Sequence, residues 1–218
     1  GGDAQGLHPM LVEGNRPTST KGWEAMHAVV APAVKELDVE GVRAALARGA
    51  TVIDVRPRDE FDTRRLEGSV SCELFRRIDG SSGSQNLRKA AFAFFGINGS
   101  ELNPEFLDEV AAVVGGGQKN SGGGGFQLPW QAQKGGGASQ EVVLVCWTGG
   151  TLEESRNFPL GVQSRSLTAA YQLVKQGYRN VSFVGGGLSG IAGVDESLLV
   201  DDRDFLSKLG IKGGLGSS

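Results

Sequence analysis

Apolar residues along this chain switch repeatedly between a helical spacing and short continuous runs. Trp23, Met26, Val29 and Val30 fall at three- and four-residue intervals, which predicts a helix over 23–33 with Pro32 near its end. Asp38 stands as an N-cap before Val39, Val42 and Leu46, so 39–48 reads as a second helix that Gly49 stops. Thr51-Val52-Ile53-Asp54-Val55 is then a β-branched run closed by Arg56-Pro57, a buried strand entering a turn. A short charged helix over 59–65 with Asp59 near its start, a strand over 69–74 and a helix over 86–95 carrying Phe92, Phe94 and Phe95 into the core follow. Asn103 caps a helix over 104–114 that turns Phe106, Leu107, Val110 and Val114 inward. The strongest strand is 141–146, Val-Val-Leu-Val with Cys146 at its C-terminal end. A long loop leads to Gln163, Ser164 caps a helix through Lys175, and Gly177 ends it. A final strand over 180–184 runs into Gly185-Gly186-Gly187.

Strands alternating with helices imply an α/β fold whose central, mostly parallel sheet carries helices on both faces. The continuous apolar strands agree, because parallel strands are buried on both sides. Composition adds one local feature. Glycine supplies 35 of 218 residues, and ten of those lie between 115 and 137, a low-complexity surface loop. The division expected is an N-terminal arm with one helix over 1–36, a single domain over 37–192 interrupted by the 115–137 loop, and a C-terminal tail over 193–218. Residues 1–22 are irregular. The net charge of −3 argues against nucleic acid bound through phosphate contacts. No apolar run reaches membrane-spanning length. With Gly1 in place of Met and no signal-peptide pattern, a processed mature form is expected. Two cysteines and two histidines, His8 and His27, cannot build a cysteine-rich zinc site, and no metal or cofactor is expected. Cys72 and Cys146 could pair; two lone thiols fit a reducing compartment better.

Chemistry gathers at Cys146. Ligands of open α/β sheets sit beyond the carboxyl ends of the strands, and Cys146 occupies such an end. Gln163-Ser164-Arg165-Ser166 opens the following helix, whose N-terminus offers free N–H groups and a positive dipole. A thiolate facing that helix and Arg165 gains reactivity, and the same groups could cradle an anion. The competing role is a buried, inert thiol.

The residues together resemble a known family. Val52-Ile53-Asp54-Val55-Arg56, Glu60-Phe61 and Leu66-Glu67-Gly68-Ser69-Val70 look like the opening signature of rhodanese domains. Cys146, Ser164-Arg165-Ser166, Gly177-Tyr178-Arg179-Asn180-Val181 and Gly185-Gly186-Gly187 resemble the second half, in order. Phe75-Arg76-Arg77, Ala91-Phe92-Ala93-Phe94-Phe95-Gly96, Asn103-Pro104-Glu105-Phe106 and Thr148-Gly149-Gly150-Thr151 are similar to the plant and algal chloroplast group. The resemblance implies the rhodanese fold and a sulfurtransferase in a chloroplast. Cys146 would be catalytic, taking sulfane sulfur from thiosulfate and passing a persulfide sulfur to a thiol acceptor. Thr148, Gly149, Gly150, Ser164, Arg165 and Ser166 would bind the substrate anion, while Asp54, Arg56 and Glu60 would be structural. Asp54 and Arg56 are expected to set their turn and pair with Asp59 or Glu60, and Cys72 to be a buried small hydrophobe. This chain departs from many rhodaneses in the inserted residues 151–163, which carry Glu153, Glu154 and Arg156 between Cys146 and Arg165. A Cys-x5-Arg phosphatase loop is not present, since Leu152 stands six positions after Cys146. The second implied class is a scaffold or regulatory protein docking on a thylakoid complex such as a photosystem, through the arm, the glycine loop and the insertion.

Overall fold

Three continuous apolar runs build the centre of the molecule. In the computed structural model, which describes residues 12–15, 17–77, 100–115 and 140–201, they form β2 (Thr51–Asp54), β7 (Val142–Val145) and β8 (Val181–Val184). With β1 (Val34–Leu37) and β4 (Val70–Ser71) they make a five-stranded sheet in the order β1-β8-β7-β2-β4, every neighbour parallel. Thr51 and Val181 lie opposite Val142, and Ile53 and Phe183 opposite Leu144.

Strand alternation divides the core into two layers. Ile53, Val55, Leu144, Cys146 and Phe183 pack with α1 (Thr20–Val30), α4 (Phe106–Gly115) and α5 (Arg165–Lys175), through Met26, Val110 and Leu167 among others. Val52, Val143, Val145 and Val184 face the other way, against Val42 and Ala45 of α2 (Val39–Ala47) and Leu188 and Ile191 of α6 (Gly187–Val194). Each fully buried aliphatic side chain contributes about 1.5–3 kcal/mol relative to exposure. The sheet is therefore covered on both faces, and Cys146 belongs to the layer that contains α5.

Side-chain caps start the helices as the sequence indicates. Asp38 Oδ1 accepts the Gly41 N–H at 2.8 Å, and Ser164 Oγ accepts that of Leu167 at 3.1 Å. The helix expected over 104–114 from an Asn103 cap begins instead at Phe106; Asn103 Oδ1 accepts the Glu105 N–H at 3.1 Å in the turn ahead of it.

Several boundaries differ from expectation. The helix expected over 23–33 is α1, which starts earlier, at Thr20, with Ser19 Oγ accepting the Gly22 N–H at 3.1 Å, and ends at Val30, before Pro32. The expected helix 59–65 is α3 (Arg58–Thr63), because Arg64 turns into β3 (Arg64–Leu66), which pairs antiparallel with β9 (Leu199–Asp201). Of the strand expected over 69–74, Val70–Ser71 form β4, and the Cys72 and Leu74 N–H groups still donate to the Asp54 and Val55 carbonyls; the chain beyond turns into β5 (Phe75–Arg77), which pairs antiparallel with β6 (Ser100–Leu102). Neither β1 nor α6 was expected. The helix read at 86–95 and residues 116–137 of the glycine loop lie outside the described residues. Among the described residues no helix is long and apolar enough to cross a membrane.

Candidate active site at the carboxyl end of the sheet

Cys146 is the first residue past β7, and 2% of it is exposed. Its carbonyl accepts the Leu188 N–H at 3.0 Å, and the Trp147 carbonyl accepts that of Ser189 at 3.0 Å. The first turn of α6 is thus occupied by the loop that leaves Cys146. Gly149 and Gly150 then turn the chain with φ of +67° and +72°, a left-handed conformation that favours glycine. A Cβ on Gly149 would overlap the Val184 carbonyl and the Gly187 amide, so the loop lies backbone against backbone.

The loop ends on α5. Ser164 Oγ donates to the Gly149 carbonyl at 2.6 Å while capping the helix through Leu167. The insertion does not separate these parts. Thr151 and Val162 exchange backbone hydrogen bonds at 3.0 and 2.8 Å, closing 152–161 into an outward excursion. A Cβ on Gly150 would lie 2.9 Å from Ser164 Cβ, so the residues flanking the insertion meet at its base. The long loop of the sequence becomes a compact turn from Cys146 to Gly150, followed in space by Ser164. Glu36 of β1 touches this base, accepting from Thr151 Oγ1 at 2.9 Å and the Leu152 N–H at 2.8 Å.

The first-turn N–H groups of Arg165 and Ser166 have no acceptor within α5. The Ser166 hydroxyl is fully buried and has no hydrogen-bond partner among the described residues. A buried hydroxyl without a partner carries a desolvation cost of about 1–3 kcal/mol, which a bound acceptor would remove. Arg165 is half exposed, and its Nη1 lies 3.5 Å from Glu60 Oε1. Thr148 is exposed, with its carbonyl accepting the Gly150 N–H at 2.7 Å.

Asp54 and Arg56 pair chiefly with each other. Arg56 Nε and Nη2 reach the two Asp54 oxygens at 3.0 and 2.8 Å, both side chains are buried, and Arg56 Nη2 also donates to the Arg64 carbonyl. Glu60 is 3.9 Å from Arg56 Nη1 and so links this buried pair to Arg165. Arg56, Glu60, Thr63, Arg64, Trp147 and Asp201 line an open cavity of about 300 Å³ beside the loop. Sequence reading missed Trp147, Arg64 and Asp201 there; the last two meet through the pairing of β3 with β9, a distant contact with no local mark in the sequence. Glu36 was missed with its strand; the signal was the four-residue stretch Val34–Leu37 between the helix-ending Pro32 and the Asp38 cap. Cys72 lies far from this arrangement in character: it is 1% exposed, and burial, with the Glu109 carboxylate, pushes its thiol up to about 12. Both thiols are free.

The family model for a rhodanese-like domain matches residues 38–193, a span that includes Cys146 and both ends of its loop. This chain belongs to the rhodanese-like domain family. It is 31% identical over 176 residues to the Arabidopsis thaliana rhodanese-like domain-containing protein 14, chloroplastic, covering 79% of this chain and 69% of the relative. Among solved structures it is similar to Saccharomyces cerevisiae Ygr203w, described as a homolog of single-domain rhodanese and the Cdc25 phosphatase catalytic domain. That likeness has 15% identity and a TM-score of 0.43 over 79% of this chain and 90% of the yeast one. It also resembles reduced Bacillus anthracis CoADR-RHD, at 16% identity and a TM-score of 0.43, spanning 82% of this chain but 20% of that longer one. The matched span holds Cys146, Ser164 and the closed 152–161 excursion between them.

Proposed function

We propose that this rhodanese-like chain is a sulfurtransferase that carries sulfane sulfur on Cys146. The observation that supports it most is the open first turn of α5: two N–H groups without helical acceptors and the buried, unpartnered Ser166 hydroxyl, tied to the Cys146 loop through Ser164. Such a turn suits a small anion or an anionic sulfur. The Cys146 thiolate attacks the outer sulfur of thiosulfate; the sulfur–sulfur bond breaks and sulfite leaves with the electron pair. The persulfide left on Cys146 is then attacked at its outer sulfur by an acceptor thiolate. That step returns the Cys146 thiolate and yields an acceptor persulfide, so no oxidant or reductant is consumed. Gly149 and Gly150 shape the loop, Arg165 draws the donor anion, and Asp54, Arg56 and Glu60 hold the turn beneath. The chloroplastic relative supports a chloroplast as the place of action.

Incubation of the reduced protein with thiosulfate, removal of excess, and intact-mass measurement beside Cys146→Ser tests this. Gain of one sulfur atom by the wild type alone is expected; no gain overturns the mechanism.

A second reading, a regulatory protein docking on a thylakoid complex, is favoured by the exposure of Trp147, Phe158 and Val162 on the loop and its insertion. Pull-down from thylakoids that survives Cys146→Ser and is lost on replacing Phe158 would support it.

A further inference from the structure

We propose that Glu36 is a positioning residue for the Cys146 loop, acting through the base of the insertion. This rests on the sulfurtransferase reading for its role but not for its geometry. An insertion between the cysteine and the helix that completes its site would ordinarily loosen the loop, since closing a longer loop costs more entropy. Here the cost is met at the base. The Thr151–Val162 exchange closes the excursion, and Gly150 is brought against Ser164. A closed excursion could still swing as a unit about its base. Glu36 prevents that, because one of its oxygens, Oε2, accepts from both the Thr151 hydroxyl and the Leu152 N–H. Those two donors sit at the corner where the active loop ends and the excursion begins.

The surroundings are shaped for this contact. Glu36 is the penultimate residue of β1, at the same end of the sheet as Cys146, opposite Phe183 in register. The Leu37 carbonyl accepts the Gly185 N–H at 2.9 Å, holding the two strand ends together. A Cβ on Gly185 would lie 2.5 Å from Glu36 Oε1 and 2.9 Å from its Cγ, so the absence of a side chain at Gly185 lets the glutamate lie across the end of β8 toward Thr151. Among the described residues the carboxylate pairs with no cation; its partners are these two donors. Gly150 is held from the other side as well, its carbonyl facing the Gly186 N–H at 3.4 Å. The edge strand and the glycine turn after β8 therefore bracket the end of the active loop.

The test compares Glu36→Ala, Glu36→Gln and Thr151→Val with the wild type by two readouts. One is the rate of sulfur loading from thiosulfate; the other is the rate of Cys146 alkylation by iodoacetamide, located by peptide mass so that Cys72 is scored separately. Glu36→Ala is expected to slow loading about tenfold, chiefly in the chemical step, and to change Cys146 alkylation by a similar factor. Glu36→Gln retains an acceptor oxygen and is expected to restore both rates to within about twofold of wild type. Thr151→Val, which removes one donor without changing shape, should fall between, and it serves if the alanine variant does not fold. Equal rates in Glu36→Ala and wild type overturn the proposal, as does a glutamine variant as impaired as the alanine one. Absence of loading in the wild type, with alkylation still sensitive to Glu36→Ala, overturns the sulfurtransferase reading and leaves the positioning role standing.

Discussion

Cys72 and Cys146 occupy corresponding places: each follows a parallel strand at the same end of the same sheet, and each is almost wholly buried. Cys72 continues the ladder, its N–H donating to the Asp54 carbonyl at 3.0 Å, and the chain after it runs on to β5. Burial then leaves it a neutral thiol, with its ionisation displaced from 9.0 to about 12. After Cys146 the chain abandons the ladder, crosses the ends of β8 and α6 on two left-handed glycines, and lands on the capped end of α5. Depth of burial does not distinguish the two cysteines. What distinguishes them is the chain that follows, which runs on along the ladder after Cys72 and turns to the capped end of α5 after Cys146.

The sharpest break of this comparison is sulfur loading itself. Cys146→Ser is expected to abolish it and Cys72→Ser to retain it, as read by intact mass; loading that moved to Cys72 would show that strand-end position alone suffices. Next comes the buried pair on the strand between them. Asp54→Ala strands the Arg56 guanidinium and should cost about 3–5 kcal/mol in urea unfolding, weakening both cysteine ends together. Gly149→Ala should cost less, about 2–3 kcal/mol, since its Cβ meets backbone in a left-handed turn. It should reduce loading at Cys146 far beyond its effect on stability. The smallest effect concerns Cys72 alone. Unfolded, this thiol ionises near 9.0, and folded near 12, so between those values the unfolded state holds fewer protons and stability falls as pH rises. Below 9.0 both states keep the proton and the group contributes no slope. Unfolding free energies measured from pH 9.0 up toward 12 should lose that component in Cys72→Ala.

Much of this was legible in the residues. The apolar runs of β2, β7 and β8 announce buried parallel strands, and Asp38 and Ser164 announce the helices they cap, because those signals are local. The missing pieces depend on distant partners. β1 shows only Val34 and Leu37 as apolar, with Lys35 and Glu36 between them, and becomes a strand by pairing with β8. α6 is Gly-Leu-Ser-Gly-Ile-Ala-Gly-Val, poor in helix formers, and is held by burial of Leu188 and Ile191 and by the Cys146 carbonyl. The insertion read as a long loop because Thr151 and Val162 carry no mark in sequence of their pairing. For the same reason Arg165 looked remote from Cys146.

The pairing of β1 with β8 also orders events during translation. The earliest strand of the sheet to leave the ribosome is bonded, among the described residues, only to the latest, so β1 has no place to dock until residue 184 has emerged. Non-local parallel pairing of this kind is slow. Glu36 travels with β1, and the loop over Cys146 is therefore secured last. A nascent chain holds its thiol in an unfinished site until β8 has emerged.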